Sequence, residues 1–140
     1  VTPWEVPGGC TNTGLCALPD GTLAIGDFDS ERIVICTRTG RFIRAVTLES
    51  APNASVQGIA WDTSRGSFWV GHYNADPLGS LRRYSTAGAL QQTLSLSAIT
   101  GAQGPNGCVY DAANDRVLVA ATDNRVRGIN CTTGAVAETI

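Results

Sequence analysis

Three features of the 140-residue sequence predict an all-β fold. No segment sustains the 3.6-residue apolar period of an amphipathic helix. Short β-rich runs are separated by turns carrying Gly, Pro, Asp, Asn and Ser, residues that break strands and supply turn conformations. The runs also recur in three copies: "GLCALPDGTLAIGDFDSERIVICTRTGRFIRAVTL" from Gly14, "GIAWDTSRGSFWVGHYNADPLGSLRRYSTAGALQQTLSL" from Gly58 and "GCVYDAANDRVLVAATDNRVRGINCTTGAVAETI" from Gly107. Their opening glycines lie 44 and 49 residues apart, and their closing turns align at Gly40, Gly88 and Gly134.

Each copy divides into four runs. The first is "GLCAL", "GIAWD" or "GCVYD" and ends in a turn. The second, "TLAIG", "SFWVG" or "RVLVA", is almost continuously apolar, as a strand covered on both faces must be. The third, "RIVIC", "SLRRYS" or "RVRGIN", is mixed, and the fourth, "FIRAVTL", "LQQTLSL" or "AVAETI", alternates as a half-exposed outer strand does. Four short strands repeated at this period predict a β-propeller arc of three four-stranded blades. Residues 1–140 are read as one unit, with blades at about 10–50, 54–97 and 104–140.

Composition supports a globular domain with one sizeable core: 43% of residues are apolar and 16% charged. The net charge is −2 and the basic residues are scattered, so neither nucleic acid nor an anionic membrane is an expected partner. No apolar run approaches the roughly 20 residues that span a bilayer. The start, "VTPWEVPGG", lacks the basic region and apolar core of a signal peptide. With no Met in the sequence, the expectation is a processed mature protein or an excised piece.

Five cysteines, Cys10, Cys16, Cys36, Cys108 and Cys131, show no CxxC pairing and accompany a single His, so no structural zinc is expected. Cys16 and Cys108 follow opening glycines in apolar runs and are read as small buried hydrophobes. Sequons at Asn53 and Asn130 are candidate glycosylation sites, consistent with an expected location outside the cytoplasm, extracellular or periplasmic.

The stretch "GLCALPDGTLAIGDFDSERIVICTRTGRFIRAV" resembles the repeat of NHL and SMP-30/gluconolactonase-like propellers, and all three copies carry the pattern. "PNG" at Pro105–Gly107 is similar to the segment by which SMP-30-like lactonases place an Asn on their catalytic metal, which implies a ligand role for Asn106. That family also uses a Glu on an early inner strand; Glu5, in "WEVPGG", does not match its context.

Propellers close with about four to eight blades, and exposed apolar blade flanks mark interfaces. Three completions are open: further blades in a longer chain, a two-fold dimer making a six-bladed ring, or a head-to-tail filament. The dimer is preferred. The strand-like "VTPWEV", residues 1–6, is read either as a clasp on a partner's last blade or as a linker.

In a propeller, the loops from fourth to first strand and from second to third share one face. The first set offers Asn12, Asn53, Gln57 and Asn106; the second offers Asp27, Asp29, His72, Tyr73, Asn74, Asp76, Asp123 and Asn124 as a ligand or partner rim. Such oxygens suit Ca²⁺ or another divalent cation, yet Asn and Asp are also what turns prefer, so no cofactor is assigned. His72 has Asp76 near in sequence but no recognisable nucleophile beside it, and no catalytic residue is assigned. Trp61, Trp69, Tyr73 and Tyr84 concentrate in the second blade, whose "NADPLG" insertion makes the longest loop; packing between blades is their default role. Arg32, Arg38, Arg41 and Arg44 are expected on the outer edge. The expected function is a non-catalytic module for binding or structural assembly through blade flanks and the loop-bearing face, with a metal-dependent lactonase or hydrolase as the alternative.

Overall fold

A computed structural model describes residues 9–49, 55–73, 79–96, 105–121 and 124–139. The stretch 1–6, with Glu5, and the candidates Asn53, Asn74, Asp76 and Asp123 lie outside these residues. Among the described residues there are twelve strands and no helix.

The strands are β1 (Asn12–Ala17), β2 (Leu23–Asp27), β3 (Arg32–Cys36), β4 (Phe42–Thr47), β5 (Ser55–Asp62), β6 (Ser67–Tyr73), β7 (Ser80–Tyr84), β8 (Leu90–Ser95), β9 (Pro105–Asp111), β10 (Arg116–Ala121), β11 (Val126–Asn130) and β12 (Val136–Thr139). They form three antiparallel sheets, β1 to β4, β5 to β8 and β9 to β12, each ordered as in the chain. One sheet corresponds to one sequence copy.

The first strands begin before the opening glycines, not at them. Pairing shifts between Asn12 and Gly14, between Val56 and Gly58, and where Pro105 and Gly107 meet Ala121 and Ala120. Each shift is a bulge whose extra residue is Thr13, Gln57 or Asn106. A second set recurs at Ile35/Cys36, Arg83/Tyr84 and Gly128/Ile129, beside the outer strands. The copies thus share irregularities as well as strands.

Alternation along each strand sends side chains to two flanks, one facing the preceding sheet and one the following. From the first sheet Ala24, Ile33, Ile35, Val46 and Leu48 meet Val56, Ile59, Phe68, Val70 and Tyr84 of the second. From the other flank of the second, Ala60, Trp69, Leu81, Leu94 and Leu96 meet Val117, Val119, Ile129 and Cys131 of the third. Burying each large side chain contributes about 2 kcal/mol, so the seams between sheets hold the arc together. A smaller cluster of Ile25, Val34 and Cys36, with Cys10, Leu23 and Phe42 against it, occupies the first sheet's leading flank.

Glycine permits close approach at both seams. A Cβ at Gly14 would lie 2.9 Å from the amide nitrogen of Ile59, and one at Gly58 would lie 2.6 Å from Cys108 Sγ. Real Cβ atoms essentially never come under 3.0 Å, so a side chain at either place would push the sheets apart.

Candidate functional site

On the loop-bearing face, the described candidates separate into inward and outward groups. Asp27 ends β2 fully buried. Its carboxylate accepts the Thr11 backbone N–H at 3.1 Å and pairs with Arg32 Nε at 2.8 Å across the β2–β3 hairpin, while Arg32 Nη2 donates to the Gly9 carbonyl at 2.6 Å. Asp29, two residues on, is exposed and accepts the Thr11 hydroxyl. Around them Gly9, Cys10, Thr11 and Ser30 complete a recess of about 210 Å³.

His72 is also buried completely, with Nε2 2.9 Å from the Tyr84 hydroxyl. Asp27 and His72, both expected on the rim, are thus buried, each against a partner on the adjacent strand, with Asp27 still bordering the recess. Asn12, Asn106 and Asn124 are exposed and Tyr73 is half-buried; Asn124 holds a left-handed φ of 63°, a conformation Asn tolerates better than most residues. Asn130 lies in the β11–β12 turn, where its side-chain oxygen accepts the backbone N–H groups of Thr132 and Thr133. Among the described residues, no three His, Cys, Asp or Glu side chains are grouped as a metal would require.

Of the second-sheet aromatics, Trp61, Trp69 and Tyr84 pack in the seams. Trp69 is fully buried and donates its indole N–H to Asp62 at 3.0 Å, with Arg83 over its ring at 5.9 Å. Trp61 packs edge to face on Phe68 at 5.0 Å. Arg38, Arg41 and Arg44 are exposed as expected, whereas Arg32 is half-buried because Asp27 holds it.

A polar junction that sequence reasoning missed ties the second sheet to the third. Arg65 Nη1 and Nη2 donate to the two carboxylate oxygens of Asp115 at 2.6 and 2.7 Å, and Nη1 also reaches Asp62 at 3.0 Å. Tyr110 donates its hydroxyl to Asp115 at 3.1 Å and lies 2.7 Å from the Ser64 hydroxyl. The Arg65 hydrogen bond holds the Asp115 carboxyl below the usual carboxylate range, and the same bond raises Arg65. Asp115 has φ 46°, where the second copy has Gly66 at 61°. A non-glycine residue in that hairpin position was the available clue.

The thiols are unsuited to nucleophilic work. Burial pushes Cys16, Cys108 and Cys131 up to about 12, and the thiolate is the reactive form. Cys16 and Cys108 are half-buried against the two core clusters; the fully buried pair is Cys36 and Cys131. All five cysteines are free thiols.

The ends of the arc differ from its interior. Leu15 on β1 is 61% exposed and Val109 on β9 is 63% exposed, the largest values among the described large hydrophobics. Leu15 pairs with Ile25 and looks away from the second sheet, beside an open recess of about 470 Å³ lined by Asn12, Thr13, Gly14 and Ile25. Val109 looks away from the second sheet at the other end. In the repeat, Leu15 aligns with Ile59 and Val109 with Ala60, both buried, so the alignment carried the signal.

No family profile and no curated protein matches the chain. Solved structures do. Sqt1 of Saccharomyces cerevisiae superposes with a TM-score of 0.64 at 16% identity, over 93% of this chain and 35% of that one. U3-55K gives 0.66 at 14% identity, over 94% and 39%. A catalytically inactive virginiamycin B lyase from Staphylococcus aureus, with quinupristin, gives 0.66 at 17%, over 95% and 42%. The fold is a β-propeller arc. The chain spans about a third to two fifths of these structures, and at such identities the likeness is one of fold alone.

Proposed function

We propose that this chain is a non-catalytic propeller module with NHL-like repeats, acting by binding and assembly through its terminal flanks, and that its partner is a second copy closing a six-bladed ring. The observation that carries this reading is the placement of Leu15 and Val109, one at each end of the arc and both largely exposed. Apolar groups in matching positions of successive sheets pack against each other inside the chain, and the same pairing is available between chains. The burial of His72 against Tyr84 supports the reading as well, since it draws the sole His of the sequence away from solvent.

Light scattering on the native particle, with and without chelator, tests it. A mass of two chains, unchanged by chelator, is expected. One chain mass at high concentration overturns self-assembly, and a large polydisperse particle replaces the ring by a filament. Chelator-sensitive hydrolysis of a lactone overturns the non-catalytic assignment.

A further inference from the structure

Both seams inside the chain follow one rule, and the third sheet follows it at all but one position with no neighbour on that flank among the described residues. Gly14 is glycine because Ile59 of the next sheet occupies the space a Cβ would need, and Gly58 because Cys108 does. Gly107 holds the same place in the third copy, yet a Cβ there meets nothing within 4 Å and its φ is not left-handed. Among the described residues, neither packing nor backbone conformation calls for glycine at this position.

The surrounding positions agree. At the bulge, Thr13 donates its hydroxyl to the Val56 carbonyl of the next sheet at 2.6 Å; Asn106 stands at the equivalent place, exposed. Ala24 and Trp69, fully buried on the following flanks of the first two sheets, correspond to a half-buried Leu118. Ala60 corresponds to the exposed Val109. One position departs from the rule. Gly26 and Gly71 leave holes filled by Val56 and Pro105, but the third sheet has Ala120, so Asn12 of an incoming strand must lie over a methyl group.

We infer that the following flank of the third sheet, centred on Gly107, is a docking seat for the first strand of a second copy. Leu15 lies on Gly107 beside Val109, as Ile59 lies on Gly14, and Asn106 donates to the Asn12 carbonyl, as Thr13 does to Val56. Two-fold symmetry makes each copy both seat and strand, so two such seams close the ring. This inference rests on the self-assembly reading and adds its contact residues.

Gly107→Leu and Val109→Glu in the full chain test it by sedimentation velocity, with far-ultraviolet circular dichroism as the check on folding. Both sites are open, so both variants are expected to keep the wild-type spectrum while the dimer dissociation constant rises about 100-fold or more. Gly58→Ala, inside a seam, loses stability instead. A Gly107→Leu chain that dimerises as tightly as wild type overturns the seat and leaves self-assembly standing. A wild-type chain that stays monomeric overturns self-assembly itself and the second copy as occupant. Loss of the folded spectrum in both variants overturns the claim that the flank is open.

Discussion

Arg65 of the second sheet holds both carboxylate oxygens of Asp115 in the third, at 2.6 and 2.7 Å. The two residues are 50 positions apart in the chain, and their contact fixes one sheet's hairpin against the next. Paired geometry of this kind is specific as well as attractive.

Its pH dependence has a definite sign. Asp115 has a lowered folded pKa, so its contribution is present above the unfolded value near pH 4 and is lost as pH falls through the folded value. The side chain is 42% exposed, and solvent screening holds the contribution to about 0.5–1 kcal/mol. Asp115→Asn, which tolerates the left-handed backbone, is expected to lower stability by that amount at pH 7. The gap from wild type should close between about pH 5 and 3 in urea titrations. A gap independent of pH would show that the charge is not what matters.

Asp62 carries a larger share. Its buried carboxylate accepts the backbone N–H groups of Ser64 and Arg65, Arg65 Nη1 and the Trp69 indole, all at 3.0 Å. Asp62→Ala strands the indole donor and undoes the turn, at a cost of about 3 kcal/mol. The urea midpoint, followed by tryptophan fluorescence, measures it; a loss under about 1 kcal/mol would mean that water replaces the carboxylate.

Alkali is expected to destabilise the protein through its thiols. Cys16, Cys108 and Cys131 are raised from 9.0 to about 12 by burial. Their contribution is complete below pH 9 and is lost as pH rises toward 12, because the unfolded thiols ionise first. The urea midpoint should therefore fall as pH rises from about 9 toward 12. Replacing Cys16 and Cys108 by Ala should flatten that fall. At pH 8 these thiols should react with iodoacetamide at least about 100-fold more slowly in the folded than in the unfolded protein.

The repeat makes the arc legible in the sequence itself. Apolar runs such as "SFWVG" named the strands buried on both faces, and opening and closing glycines marked the period. The bulges were not legible, because Thr13, Gln57 and Asn106 look like loop residues until the pairing places them inside strands. Nor was the inward turn of Asp27 and His72: composition marks both as loop polars, and only the partners Arg32 and Tyr84 reveal where they point. Arg65 and Asp115 were hidden for a related reason. Their pairing depends on how two sheets are rotated together, which no single copy encodes.

The serial packing of the sheets also sets an order of opening. The second sheet shares a seam with each of the other two, whereas the first and third share a seam only with it among the described residues. Local opening can therefore begin at either terminal sheet without disturbing the opposite seam, while opening the middle one breaks both. Amide hydrogens of β6 and β7 should then exchange at the free energy of global unfolding, making the central sheet the keystone from which the arc is last to come apart.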